Sequence, residues 1–136
     1  MSDEVRVSVK SDADVVAARE KGRKLSSQLG FSSTDLTLIV TAISEVARNI
    51  VLYAREGQIT MRLVKNATQS GIVVIAEDEG PGIPDLELAM RDAYSTGNGL
   101  GLGLPGARRL MDEFEIESEL ARGTTVTMRK WAPERV

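Results

Sequence analysis

A chain of 136 residues is long enough for one domain and too short for two ordinary ones. It holds no cysteine and no histidine, which removes disulfides, thiolate and imidazole metal sites, imidazole bases and self-phosphorylation on histidine. The net charge of −3 argues against a general nucleic-acid binder; no segment reads as long and apolar enough to span a membrane, and the N-terminus lacks a secretory pattern, so a cytoplasmic protein with no nucleic-acid and no membrane partner is expected.

Aromatics make up only 4% of the chain, so the core has to be aliphatic, and its pattern can be followed in order. Val5, Val7 and Val9 alternate with polar residues and predict a first strand. Ser11 or Asp12 starts a helix with apolar positions Val15, Val16, Leu25 and Leu29, and Gly30 stops it. A second helix begins near Ser33 or Thr34, carries a broad apolar face from Leu36 to Ala54, and ends before Gly57. Ile59, Met61 and Leu63 alternate, as do Ile72, Val74 and Ala76, with a hairpin connection from Asn66 to Gly71. A short helical candidate runs from Asp85 to Ala93. A further helix should begin between Gly101 and Pro105 and run to about Phe114, with Pro105 tolerated in its first turn. Phe114 to Glu117, a turn near Arg122 and Gly123, and Thr124 to Trp131 close the chain. Strands that come mostly in hairpin pairs, interleaved with helices, predict an α+β fold with helices on one face of a mixed, mainly antiparallel sheet.

Four segments carry chemistry. Glu45 and Asn49 lie four residues apart in the second helix, on one face and about 6 Å from each other. A carboxylate and a carboxamide in an otherwise apolar helix need a reason, and magnesium, with its preference for oxygen ligands and retained waters, supplies one. The plain alternative is a solvated helix edge. Asp78 follows a strand, and Gly80 and Gly82 let the backbone turn and approach a ligand closely; taken alone, Asp-x-Gly-x-Gly reads mostly as a turn. Gly97, Gly99, Gly101 and Gly103 alternate with Asn98, Leu100 and Leu102. Such a run suits backbone N–H groups wrapping an anion, and the helix behind it favours phosphate; a flexible linker is the alternative. The stretch from Asp85 to Asn98 would then lie over the bound molecule, with Tyr94, Ser95 and Thr96 in reach of phosphate or partner. Gly123-Thr124-Thr125 is a hairpin signal, and Arg48 and Trp131 read as a surface arginine and a core-edge aromatic.

In this order and spacing, the four segments resemble the N, G1, G2 and G3 boxes of the GHKL ATPase/kinase superfamily. The resemblance covers about residues 5 to 131 and implies a single ATP-binding kinase domain over 1–136 with the Bergerat fold, a two-layer α+β sandwich. It implies ATP and Mg²⁺ as ligands. It assigns Glu45 as general base, Asn49 as magnesium ligand, and Asp78, with Gly80 and Gly82, as the reader of the adenine amino group. Gly97, Gly99, Gly101, Leu102 and Gly103 would hold the β- and γ-phosphates, and Thr124 would support Asp78 through water.

Among the superfamily, gyrase-, Hsp90- and MutL-like ATPases need a further domain, and sensor kinases need a phosphoacceptor histidine. The stand-alone switch kinases remain. Thr41 to Ile50, Ile75 to Asp85, Gly101 to Gly106 and Arg109 to Phe114 resemble the RsbT family of bacterial stressosomes. That resemblance implies phosphorylation of serine or threonine on STAS-domain scaffold or antagonist proteins of the RsbS and RsbR types, followed by binding and activation of a PP2C-type phosphatase or similar effector. An anti-sigma factor kinase that sequesters a sigma factor is the alternative, and a nucleotide-dependent binding module without transfer activity is a third.

Overall fold

The alternating valines become strand β1 (Glu4–Val9), which buries Val7 and Val9 and leaves Arg6 and Ser8 in solvent. The computed structural model describes residues 4–83, 90 and 103–133. Helix α1 (Asp12–Ser26) is capped by the Ser11 hydroxyl, which accepts from the Asp14 amide. Asp12 and Asp14 in its first turn and Arg23 and Lys24 in its last both complement the helix dipole. A 3₁₀ turn over Ser27–Leu29 ends at Gly30 in the left-handed conformation, as the sequence predicts.

Helix α2 (Ser33–Asn49) starts from a second serine cap, Ser32, whose hydroxyl accepts from the Asp35 amide at 3.0 Å. Its apolar stripe buries Ile39, Val40, Ile43, Val46 and Ala47. The helix then widens into a π-helical turn over Ile50–Ala54, and Arg55, at φ 72°, breaks it. Helix and π turn together, Ser33–Ala54, span 22 residues and reach the length and apolarity of a membrane span, contrary to the expectation from sequence. Half of the most apolar window is nonetheless buried inside the fold, as in the core helix of a two-layer domain.

Strands β2 (Gly57–Lys65), β3 (Ser70–Asp78), β4 (Glu113–Glu119) and β5 (Gly123–Trp131) complete a sheet of order β1-β2-β3-β5-β4. All four pairings are antiparallel among the described residues. Helix α3 (Gly103–Leu110) packs on α2 and buries Leu104 and Ala107. It stops at Leu110, short of the expected Phe114, because Phe114 already pairs with Met128 and the Asp112 carboxylate accepts from the Trp131 amide. The candidate helix from Asp85 to Ala93 lies outside the described residues.

The register explains the layers. Val7, Ile59, Ala76, Val126 and Ile116 form one row across all five strands, and Val5, Met61, Val74, Met128 and Phe114 form another. Side chains alternate along a strand, so these rows share the face that α1 and α2 cover. Trp131 falls on the opposite face, over Gly71, and its indole N–H donates to Glu113. It is therefore not a core-edge residue.

One more row lies on the helix-bearing face, at the end of the sheet. It reads Val9, Gly57, Asp78, Thr124 and Ser118. The aliphatic core thus runs out into a row that is mostly polar.

Candidate functional site

Glu45 and Asn49 occupy the C-terminal half of α2. The Glu45 carboxylate is 7% exposed, and a charge this buried has to be held. Its Oε2 accepts from the Gly103 amide at 2.9 Å, and its Oε1 accepts from the Arg48 guanidinium at 3.3 Å. The first contact joins two segments 58 residues apart in sequence: the carboxylate in α2 and the last glycine of the glycine-rich run, at the start of α3. Arg48 is thus a partner of Glu45 rather than an isolated surface arginine. Asn49, one turn on, is half-buried, and its carboxamide makes no hydrogen bond with the described residues.

Asp78 is the last residue of β3. One of its oxygens, Oδ1, accepts from two backbone amides, Gly80 at 2.9 Å and Thr124 at 3.2 Å. The first bond closes the turn after the strand, and the second crosses to β5. The carboxylate is thereby fixed in direction, with Oδ2 left as the acceptor not used by the turn. Gly123 sits at φ 116°, and a Cβ there would meet the Asp78 carbonyl oxygen at 2.0 Å. Gly82 is also left-handed, at φ 79°, and a Cβ would meet the Glu119 carbonyl at 2.3 Å. Both turns demand glycine.

The π turn ties the two halves together. A Cβ on Gly80 would lie 2.6 Å from the Ala54 Cβ and 2.8 Å from its Cα, and one on Gly57 would lie 2.9 Å from Ile50. The end of α2 is therefore pressed against the Asp78–Gly80 turn through glycines that leave room for it. Thr124 is buried beside Asp78, whereas Thr125 alternates to the outer face. Of the two threonines in the Gly123-Thr124-Thr125 segment, only Thr124 belongs to the site.

Of the residues singled out from sequence, Glu45 and Gly103 are in contact, as are Asp78, Gly80 and Thr124, with Asn49 and Gly82 on the same connected segments. Gly97, Gly99, Gly101 and Leu102 lie outside the described residues, as do Tyr94, Ser95 and Thr96. Ser118 was not singled out. Its hydroxyl accepts from the Ile83 amide at 2.7 Å and lies 2.8 Å from the Thr124 hydroxyl.

A hollow of about 380 Å³ adjoins Asp78 but is lined by Ser8, Gln58, Glu77 and Thr125, all on the outer face, with Glu56 and Glu79 at its rim. Its carboxylates oppose a polyanion, so it is not where a nucleotide's phosphates would sit. Among the described residues no group of three or more carboxylates is placed to hold a metal ion. The half-buried Asn49 carboxamide, which makes no hydrogen bond with the described residues, is an oxygen donor of the kind magnesium takes beside waters and phosphate oxygens.

Residues 9–130 match the histidine kinase-like ATPase domain family. The serine/threonine-protein kinase RsbT of Bacillus subtilis (strain 168) is 49% identical over 131 residues, covering 96% of this chain and 98% of that one. An anti-sigma F factor of Thermoanaerobacter sp. (strain X514) is 34% identical over 119 residues, covering 84% and 82%. Among solved structures, the RsbU and RsbW domains of a Mycobacterium tuberculosis protein superpose with a TM-score of 0.63 at 22% identity. That match covers 99% of this chain and 34% of the other. The mycobacterial sensor histidine kinase MprB gives 0.55 at 18% identity, covering 99% and 100%. The two structures support the fold alone.

Proposed function

The chain belongs to the histidine kinase-like ATPase family, together with RsbT, and on that premise we propose that it is a serine/threonine protein kinase of a bacterial partner-switching pathway. It transfers the γ-phosphoryl group of ATP to a hydroxyl of a STAS-domain scaffold or antagonist protein in a stressosome-type complex. Once released, it binds and activates a PP2C-type phosphatase or similar effector. Residues 1–136 act as a single cytoplasmic ATP-binding domain in this reading.

The observation that carries it is the 2.9 Å bond from the Gly103 amide to Glu45 Oε2. It sets a buried carboxylate against the end of the run of backbone amides suited to phosphate. The bond that forms joins the incoming hydroxyl oxygen to the γ-phosphorus, and the bond that breaks releases ADP. Glu45 accepts the hydroxyl proton. The arrangement asks for positioning and electrostatics more than covalent chemistry, as phosphoryl transfer does. Gly97, Gly99, Gly101, Leu102 and Gly103 orient the phosphates. Asp78 accepts from the adenine amino group and so rejects guanine, whose matching position is an acceptor. Asn49 would hold Mg²⁺, which neutralises phosphate charge when bound.

A second reading rests on the similarity to anti-sigma F factors. There the chain sequesters a sigma factor, and its kinase activity serves only to inactivate an antagonist.

The test is transfer of labelled phosphate from ATP and Mg²⁺ to a cognate STAS-domain protein, with Glu45→Ala and Asp78→Asn beside the native chain. Strong labelling by the native chain and near-background labelling by both variants is expected. ATP binding without labelling of any STAS partner would remove the kinase reading, and pull-down with a sigma factor would then decide for the second.

A further inference from the structure

Glu45 is held at two points, and the two contacts do different things. The Gly103 amide reaches Oε2 at 2.9 Å from a distant segment of the chain. It fixes where that oxygen lies. It does not fix the plane of the carboxylate, because the last torsion of a glutamate is broad and roughly twofold. A carboxylate pinned by one oxygen can still swing the other about it. The second contact removes that freedom: the Arg48 guanidinium donates to Oε1 at 3.3 Å.

The position of Arg48 suits this task. On a helix, the residues three and four places on lie over a side chain, one to each side. Above Glu45 these are Arg48 and Asn49. The Glu45 side chain is 8% exposed and that of Arg48 43%. The arginine thus reaches a buried carboxylate from the rim, with much of its own charge still in water, and avoids most of the cost of a fully buried ion pair. A guanidinium only donates and keeps its protons, so Arg48 cannot replace Glu45 as the proton acceptor.

We propose that Arg48 is a positioning residue for phosphoryl transfer: together with the Gly103 amide it sets the plane of the Glu45 carboxylate, and so aims a lone pair at the incoming hydroxyl. The inference rests on the reading of Glu45 as the general base of an ATP-dependent kinase. Such a base works best when its geometry is set before the hydroxyl arrives. The Gly103 amide sets the base against the end of the glycine-rich run, and Arg48 sets its rotation. Arg48 acts through Glu45, so its loss falls on the rate of transfer and not on the affinity for either substrate.

The test is steady-state transfer from Mg²⁺-ATP to a cognate STAS-domain protein, varying each substrate in turn, with a thermal melt of every variant. Arg48→Met keeps the aliphatic stem and deletes the donor. It is expected to lower kcat by about 10- to 100-fold, the scale of a misplaced catalytic group, and to leave KM for ATP and for the partner close to native. Arg48→Lys keeps a charged donor in reach of Oε1 and should recover most of the rate. A purely structural role would lower the melting temperature and leave kcat of the folded protein native; that result overturns the proposal, as does a lysine variant as slow as the methionine one. A raised KM for ATP at native kcat would make Arg48 a nucleotide contact, and a raised KM for the partner alone would make it a docking residue; either also overturns it. The underlying reading fails separately, if Glu45→Gln transfers phosphate at the native rate or the native chain labels no STAS-domain partner.

Discussion

Asp78 Oδ1 holds two backbone amides, and in the proposed ATP site Oδ2 would take the adenine amino group, so substitutions there separate the two roles. In Asp78→Asn the amide oxygen can replace Oδ1 and keep both backbone bonds from Gly80 and Thr124. The NH₂ group then replaces the free acceptor with a donor facing the adenine amino group. We expect the melting temperature to stay within a few degrees while ATP affinity falls about 30-fold or more, the consequence of a donor left opposite a donor. Native-like affinity in a calorimetric titration would remove Asp78 as the adenine reader. Gly123→Ala should do the reverse. Its Cβ would stand 2.0 Å from the Asp78 carbonyl at a φ of 116°, and we expect a stability loss of about 2 kcal/mol or more in a denaturant melt. Glu45 and Asn49 stand out in the sequence as polar residues in an otherwise apolar helix, whereas Asp78 reads as an ordinary turn residue until the whole set of segments is taken together. Ser118 does not stand out, because a serine between glutamates in an alternating strand is unremarkable until β4 pairs with β5 and Ile83, 35 residues away, arrives at its hydroxyl. Arg48 stands three residues after Glu45, a spacing that allows the ion pair, but the sequence alone does not set it apart from a surface arginine.

The element that organises the site is α2 with its π turn. The 3.6-residue periodicity carries the helix from near Ser33 to Ala54, but it says nothing about the widening over Ile50–Ala54 that presses Ala54 onto Gly80. Such π turns recur at functional sites because they shift one turn relative to the next. Two substitutions at opposite ends of the helix separate stability from site geometry. Ser32→Ala removes the cap on the Asp35 amide and should cost about 1 kcal/mol without changing ATP affinity. Gly80→Ala drives a Cβ against the backbone of Ala54 at 2.8 Å, a clash that no rotamer relieves. We expect a similar stability loss together with at least a tenfold loss of ATP binding, the price of about 1.4 kcal/mol at the site. Melts and titrations on both variants check this, and a binding loss that merely tracks stability in both would sink it. The end of α3 shows why element boundaries were harder to read. Leu110 and Met111 extend an amphipathic helix equally well, and what turns the chain at Asp112 is a strand partner 14 or more residues downstream, in Met128 and Trp131.

At the scale of the whole molecule, the helices among the described residues all pack on one face of the sheet, and charged side chains cover the other. The row Glu4, Arg62, Val73, Arg129 and Glu113 crosses all five strands on that face. Val73 at its centre is 1% exposed, although none of the helices among the described residues lies over it. Its cross-strand neighbours are two arginines, each drawn outward into an ion pair, Arg62 to Glu4 at 3.8 Å and Arg129 to Glu113 at 3.6 Å. Long basic side chains can bury their aliphatic stems on apolar surface while their heads stay in water, and the ion pairs hold the stems down rather than supplying much stability themselves. Arg62 and Arg129 read in the sequence as ordinary polar positions of alternating strands, and only the strand order β1-β2-β3-β5-β4 sets them on either side of Val73. The two contributions respond differently to salt. Arg129→Ala removes stem and charge together and should cost about 1 kcal/mol, a loss that persists at 1 M salt because packing is not screened while surface ion pairs are. Arg129→Met keeps an aliphatic stem of similar reach and should recover most of it. Denaturant titrations of both variants at low and high salt decide the matter: a Met variant as unstable as the Ala variant, or an Ala deficit that vanishes in salt, would mean that charge and not the stem covers the sheet.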